Sequence, residues 1–100
     1  MYKPLPESVT IKKSGVHGLG LFADQKIMHG TNLGMSHLKV EDTIFRTPLG
    51  GFINHSNTPN CVKAELLLSD SSFRKKWNLI TIQDVKKGEE LTVRYTFYKV

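Results

Sequence analysis

Apolar residues in this chain come in short alternating runs, and a glycine, a proline or a polar cluster ends each run. VTIKKS (9–14) and LTVRYTFY (91–98) place an apolar residue at every second position, the period of a strand with one buried face. GLGLFA (18–23) reads as a turn feeding a strand, and Gly30 sits in a turn between two short extended pieces of KIMHGTNL (26–33). CVKAELLL (61–68) and WNLITI (77–82) read as strands joined by a hairpin loop, SDSSFRKK. DVKKGEE (84–90) is a polar turn around Gly88, and Pro48-Leu-Gly-Gly breaks whatever precedes it. KVEDTIF (39–45) fits one helical turn as well as a strand. No segment carries the spacing of a long amphipathic helix, so the pattern predicts a mainly β domain with little helix.

The 100 residues suffice for one domain, 1–100, with a thin core: a chain this short buries about 65% of its unfolded surface. Apolar residues make up 39% and charged ones 23%, ordinary for a globular chain, and no run of 18 apolar residues offers a membrane span. The start, MYKPLPESV, lacks a hydrophobic signal core, so a cytoplasmic location is expected, or the interior or nucleus of a host cell if the source is a virus. Cys61 is the single cysteine, which rules out an internal disulfide and a thiolate-rich zinc site. His17, His29, His37 and His55 lack ligand spacing, so no metal is expected. A net charge of +5 favours an anionic partner. The basic groups Lys12-Lys13, Arg74-Lys75-Lys76 and Lys86-Lys87 are scattered, however, and nucleic acid is not expected to be the main partner.

Three segments embed polar or glycine positions in strand-like sequence. In HGLGLFA, Gly18 and Gly20 admit a ligand or a second backbone where a Cβ would stand; a plain strand bend would use the same glycines. In FINHSNTPNC, Asn54 and His55 follow the apolar step Phe52-Ile53. They either present polar groups to a ligand or belong to a turn whose Asn and Ser side chains bond their own backbone. In GEELTVRYTFY, Tyr95 alternates with Val93 and Phe97 and needs a partner for its hydroxyl; a core tyrosine bonded to a backbone carbonyl would satisfy that need.

Taken together and in this order, HGLGLFA, INHSNTPNC and GEELTVRY resemble the three motifs of the SET-domain lysine methyltransferases, across residues 17 to 95. The resemblance implies a fold of small curled β-sheets with a C-terminal pseudoknot, in which INHS and LTVRY lie side by side. It also implies S-adenosylmethionine as cofactor and a protein lysine as substrate. On this likeness the backbone of His17, Gly18, Leu19 and Gly20 holds the methionine end of the cofactor. Asn54 bonds its amino group or nearby polar atoms, the backbone of His55 bonds the adenine, and Phe97 or Tyr98 faces the adenine ring. Tyr95 is the catalytic tyrosine, its hydroxyl beside the transferred methyl.

Three positions and the segment lengths depart from the family pattern. Asn57 replaces the first cysteine of the signature, Gly51 stands where a basic residue often precedes Phe-Ile-Asn-His, and Val93 replaces an aromatic that limits the number of methyls added. The stretch from Gly20 to Asn54 is short, and no cysteine-rich segment follows Phe97 to close the channel. A second copy of the chain can supply the missing wall, so a homo-oligomer is expected. The competing readings are a SET-like module without turnover that binds a partner protein or a polyanion, and a small basic nucleic-acid-binding β-protein.

Overall fold

A computed structural model describes residues 5–15, 18–67 and 74–95. Eight strands and one short helix form two four-stranded sheets. The first sheet has the order β1-β2-β8-β5, where β1 is Val9–Lys13, β2 Leu19–Ala23, β5 Asn54–His55 and β8 Glu90–Val93. The second has the order β4-β3-β7-β6, where β3 is Asn32–Val40, β4 Thr43–Arg46, β6 Cys61–Leu67 and β7 Arg74–Thr81. All neighbours are antiparallel except β5 and β8, which run parallel. The helix α1, Pro48–Phe52, starts with Pro at its first turn and with Thr47 as N-cap, whose side chain accepts from Gly50 N.

The runs 9–14, 61–68 and 77–82 become β1, β6 and β7, with β7 starting at Arg74 inside the segment SDSSFRKK expected as loop, and the glycine turns are where the sequence places them. Gly30 and Gly88 take φ of 84° and 92°, a conformation that costs a residue with a Cβ. The segment 39–45 is no helical turn: it is a tight hairpin in which Val40 pairs with Thr43 and Glu41 adopts φ 55°. Its charged Glu41-Asp42 pair occupies the tip, and β4 is exposed along its whole length, so no buried face existed to leave a clear period in the sequence.

The core lies between the sheets and gathers Leu21, Ile27, Leu33, Leu49, Ile53, Leu79, Val85, Leu91 and Val93. A bridge between Ile27 and Val85 and the buried Thr81 tie the turns to this core. Thr81 Oγ1 donates to Met28 O at 2.7 Å and accepts from Thr31 N at 2.9 Å. Helix α1 packs on β3 so closely that a Cβ at Gly50 would run into Ser36 O and the His37 ring.

Strand β8 is the keystone. It lies between β2 and β5, with Leu21 opposite Leu91 on one side and Asn54 beside Thr92 on the other. Leu91, Thr92 and Val93 are all buried, because the strand is covered on both faces. The loop that follows β5 then folds over it. Asn60, 6% exposed, donates from its side chain to Glu90 O and accepts from Thr92 N, both at 2.9 Å, and Ser56 N donates to Val93 O at 2.9 Å. Segment 53–60 and the strand leading to Tyr95 therefore lie side by side, as the resemblance implied.

Buried polar side chains are partnered throughout the described residues. His37, 2% exposed, shares a hydrogen bond with Ser36 Oγ at 3.0 Å. Ser36 spends its own proton on Trp77 O at 3.1 Å, so His37 Nδ1 carries the hydrogen, and the imidazole meets the Trp77 ring edge-on. Burial first, then the charges of Lys63 and Arg46, push the His37 pKa from 6.5 down to about 4.

Two outcomes follow. Asn60→Ala strips partners from Thr92 N–H and Glu90 C=O inside the fold and should lower the unfolding free energy by roughly 2–4 kcal/mol. Urea denaturation checks this, and a loss below about 0.5 kcal/mol, the range of surface substitutions, would show that the clamp is not structural. His37 stays neutral in the folded chain while the unfolded chain binds its proton below pH 6.5. Its contribution is therefore complete above pH 6.5 and is lost, to a total of about 3 kcal/mol, as pH falls toward 4. Denaturation curves across that window should show a steeper pH dependence for the wild type than for His37→Gln; equal slopes would contradict it.

Candidate functional site

The three sequence segments meet where β2, β5 and β8 adjoin. Gly20 on β2 has no room for a side chain, because the space a Cβ would take is filled by Glu90 Oε2 and Asn54 Nδ2. Asn54, 6% exposed, donates from Nδ2 to Leu19 O at 3.1 Å and to Glu90 Oε2 at 2.8 Å. Ser14, just beyond β1, donates from Oγ to both Glu90 carboxylate oxygens at 2.8 Å. The Glu90 carboxylate thus links Ser14, at the end of β1, to Asn54 on β5, Asn54 in turn reaches β2 at Leu19 O, and its amide is held in a single orientation.

This arrangement separates the two readings of INHSNTPNC. Ser56 and Thr58 form the self-bonded turn of the bland reading, with Thr58 N donating to Ser56 Oγ at 3.0 Å. Asn54 does not take part in it. Its side chain reaches across to residues 35 and 36 positions away in sequence.

Tyr95 follows β8 by two residues and packs against the core beside Ile53 and His55. Its hydroxyl donates to Ile53 O at 2.8 Å, so the phenolic proton is committed and the oxygen serves as an acceptor toward anything placed beside it. The bond is the one expected of a core tyrosine, yet the carbonyl it uses belongs to the residue preceding Asn54. The backbone of Tyr95 is fixed as well: its N–H donates to His55 Nδ1 at 2.9 Å. That leaves the His55 proton on Nε2, facing Asn57 Oδ1 at 3.2 Å. The His55 and Tyr95 rings lie 5.2 Å apart. Asn57, the departure from the family cysteine, gains a role here through its side-chain oxygen, while its backbone carbonyl accepts from Arg94 Nη2 at 3.0 Å. The neighbouring Cys61 is a buried thiol whose pKa burial raises to about 12, so it is inert as a nucleophile.

The structure brings Leu19, Gly20 and Asn54 together at Glu90, and His55 and Tyr95 together next to Ile53, the two groups joined through β5. Gly18 opens β2 with φ 46°, Leu19 gives its carbonyl to Asn54, and Gly20 provides the close approach. His17 and Phe97, together with Tyr98, lie outside the described residues. Glu90 and Ser14 were not among the residues the sequence singled out. The sequence signal for Glu90 was its place within the motif GEELTVRY, which gave it no partner. Ser14 carried no signal, because its role depends on the pairing of β1 with β2. Gly51, where a basic residue is usual, faces open space on α1.

The acceptors beside Gly20, the Glu90 carboxylate and Leu19 O, are of a kind that suits a ligand with ammonium and sulfonium charges such as S-adenosylmethionine.

Comparison with known proteins agrees with this geometry. A histone-lysine N-methyltransferase of Aspergillus oryzae, named as H3 lysine-4 specific, is 27% identical across 95% of this chain. The chain spans 10% of that protein. Histone-lysine N-methyltransferase ASHH2 of Arabidopsis thaliana is 38% identical over 52% of this chain, which covers 3% of it. Among solved structures, the Plasmodium falciparum protein PFL0690c superposes with a TM-score of 0.72 at 18% identity, covering 92% of this chain and 96% of that one. A humanized mutant of Chaetomium thermophilum Polycomb Repressive Complex 2 superposes with a TM-score of 0.70 at 22% identity, over 87% of this chain and 14% of that one. At these identities the superpositions speak for the fold. Residues 36–96 match the SET-domain family model, more than half of the sequence, and the chain belongs to the SET-domain family.

Proposed function

We propose that this chain is a single SET domain that transfers a methyl group from S-adenosylmethionine to the side-chain amine of a protein lysine. The observation that carries the reading is the convergence of Gly20, Asn54 and Glu90 on one side of β8 with Tyr95 at its end. The names of the relatives, all histone-lysine methyltransferases, support the reaction class.

Bound S-adenosylmethionine supplies an electrophilic methyl on a sulfonium. The chain's own residues do the rest. Leu19, Gly20 and Asn54 give backbone and amide groups for its amino-acid end, and Glu90 holds Asn54 in place. His55 fixes the Tyr95 backbone through Nδ1, and Ile53 O fixes the hydroxyl. The Tyr95 oxygen is then a preorganised acceptor for the partial positive charge of a transferring methyl. A lysine with its ordinary pKa of about 10.4 needs roughly 4–5 kcal/mol to be neutral at pH 7. Burial against the apolar core and a neighbouring positive charge both favour the neutral amine, so no strong general base is needed. Holding the amine in line with the methyl at about 3–3.5 Å supplies much of the remaining rate.

The substrate is a protein lysine. With a net charge of +5, the chain is suited to acceptor lysines with acidic or neutral flanks better than to a basic histone tail. The site region is built from one thin sheet and lacks the longer inserted segment of the family, so we further propose that the working form is a homo-oligomer. Light scattering at micromolar concentration should give a mass of at least twice 11.3 kDa, and a strict monomer would refute it.

The test of the reaction is Tyr95→Phe. Calorimetry should show S-adenosylmethionine binding close to wild type, while methyl transfer into proteins of a cell extract falls on the order of 10–100-fold. Wild-type transfer by the variant would remove Tyr95 from the mechanism. A wild-type chain that neither binds the donor nor labels any protein would favour the non-catalytic binding module instead.

A further inference from the structure

The chain carries an amine of its own beside the tyrosine. Lys63, on β6 opposite Leu79, places Nζ over the Tyr95 ring, 5.6 Å from the centroid. Its stem is half-buried, and it borders a cleft of about 320 Å³ lined also by Pro59, Cys61, Val62, Ile82 and Arg94. Its strand neighbour Cys61 is fully inside the core, so the backbone from which Lys63 projects is fixed.

We infer that Lys63 is a methyl acceptor of its own chain, modified in cis at the site that Tyr95 serves. The inference rests on the methyl-transfer reading above. The ring face that Nζ covers belongs to the side chain whose hydroxyl marks the reacting position, and the rotatable bonds of the four-carbon stem let the amine sample positions around that ring. Burial lowers the Lys63 pKa from 10.5, which enlarges the fraction present as the nucleophilic neutral amine. In the step, the Lys63 lone pair forms the new N–CH3 bond and the S–CH3 bond of the sulfonium donor breaks. Its electron pair stays on sulfur as a thioether. The amine leaves as a methylammonium, having released one proton to solvent beforehand. Methylation keeps the positive charge, so the contact with the Tyr95 ring survives the reaction and the modified side chain stays where it began. A substrate lysine must displace it, which makes Lys63 a built-in competitor for the amine position.

The experiment uses the full purified chain with S-adenosylmethionine and no other protein. Peptide mass spectrometry should find methyl on Lys63, at a first-order rate that does not change on dilution, and labelled-methyl incorporation should fall to background in Lys63→Arg. A second reading needs no turnover: S-adenosylhomocysteine, which has no methyl to give, should shift the Lys63 side-chain NMR signals. Methyl on other lysines alone, a rate proportional to protein concentration, or Lys63 signals unmoved by S-adenosylhomocysteine would each overturn the inference. If the chain labels proteins of an extract while Lys63 stays bare, the inference falls and the methyl-transfer reading stands. If the donor neither binds nor labels anything, both fall.

Discussion

The insertion of β8 between β2 and β5 decides what this chain can be. A four-residue strand buried on both faces must have each of its backbone groups met from the side, and neither neighbour is long enough to do so. Strand β5 has two residues, and β2 contributes two pairs. The remaining bonds come from Asn60, whose amide acts as a piece of strand in miniature, taking Thr92 N–H and giving to Glu90 C=O. A buried amide that left either group unmet would cost more than the bond is worth when made. The crossing is thus held by directional bonds as well as by the apolar contacts of Leu91 and Val93.

The same crossing creates the site. Residues 14, 20, 54 and 90 belong to four separate stretches, and the pairing of β1, β2, β5 and β8 is the sole reason that a serine, a glycine, an asparagine and a glutamate share one spot. Tyr95 shows how structure and chemistry use one bond. Its hydroxyl satisfies Ile53 O, as any half-buried tyrosine must satisfy its polar tip, and in doing so fixes the direction in which the oxygen can accept. His55 similarly spends its two ring nitrogens on the Tyr95 backbone and on Asn57, which makes it a support for the tyrosine.

Much of the fold was legible residue by residue. Alternation located β1, apolar runs located β6 and β7, although β7 begins at Arg74 inside the expected loop, and glycine located the turns at 30 and 88 because φ there is positive. The hairpin at 39–45 was not legible, since an exposed edge strand has no face to mark. Strand β8 was read as half-buried, and its burial on both sides could not be inferred without knowing that two neighbours and Asn60 surround it. Local pattern also could not pair residues 76 apart, so Ser14 and Glu90 went unnoticed, although Glu90 stands within the motif GEELTVRY. The likeness to known motifs supplied the crossing that periodicity could not.

The most direct measurement is a crystal structure grown with S-adenosylhomocysteine. The account predicts density for the ligand's amino-acid end against Leu19, Gly20 and Asn54, with its sulfur directed toward the Tyr95 hydroxyl. A ligand seated elsewhere, or a Tyr95 turned away from that sulfur with its bond to Ile53 broken, would contradict it.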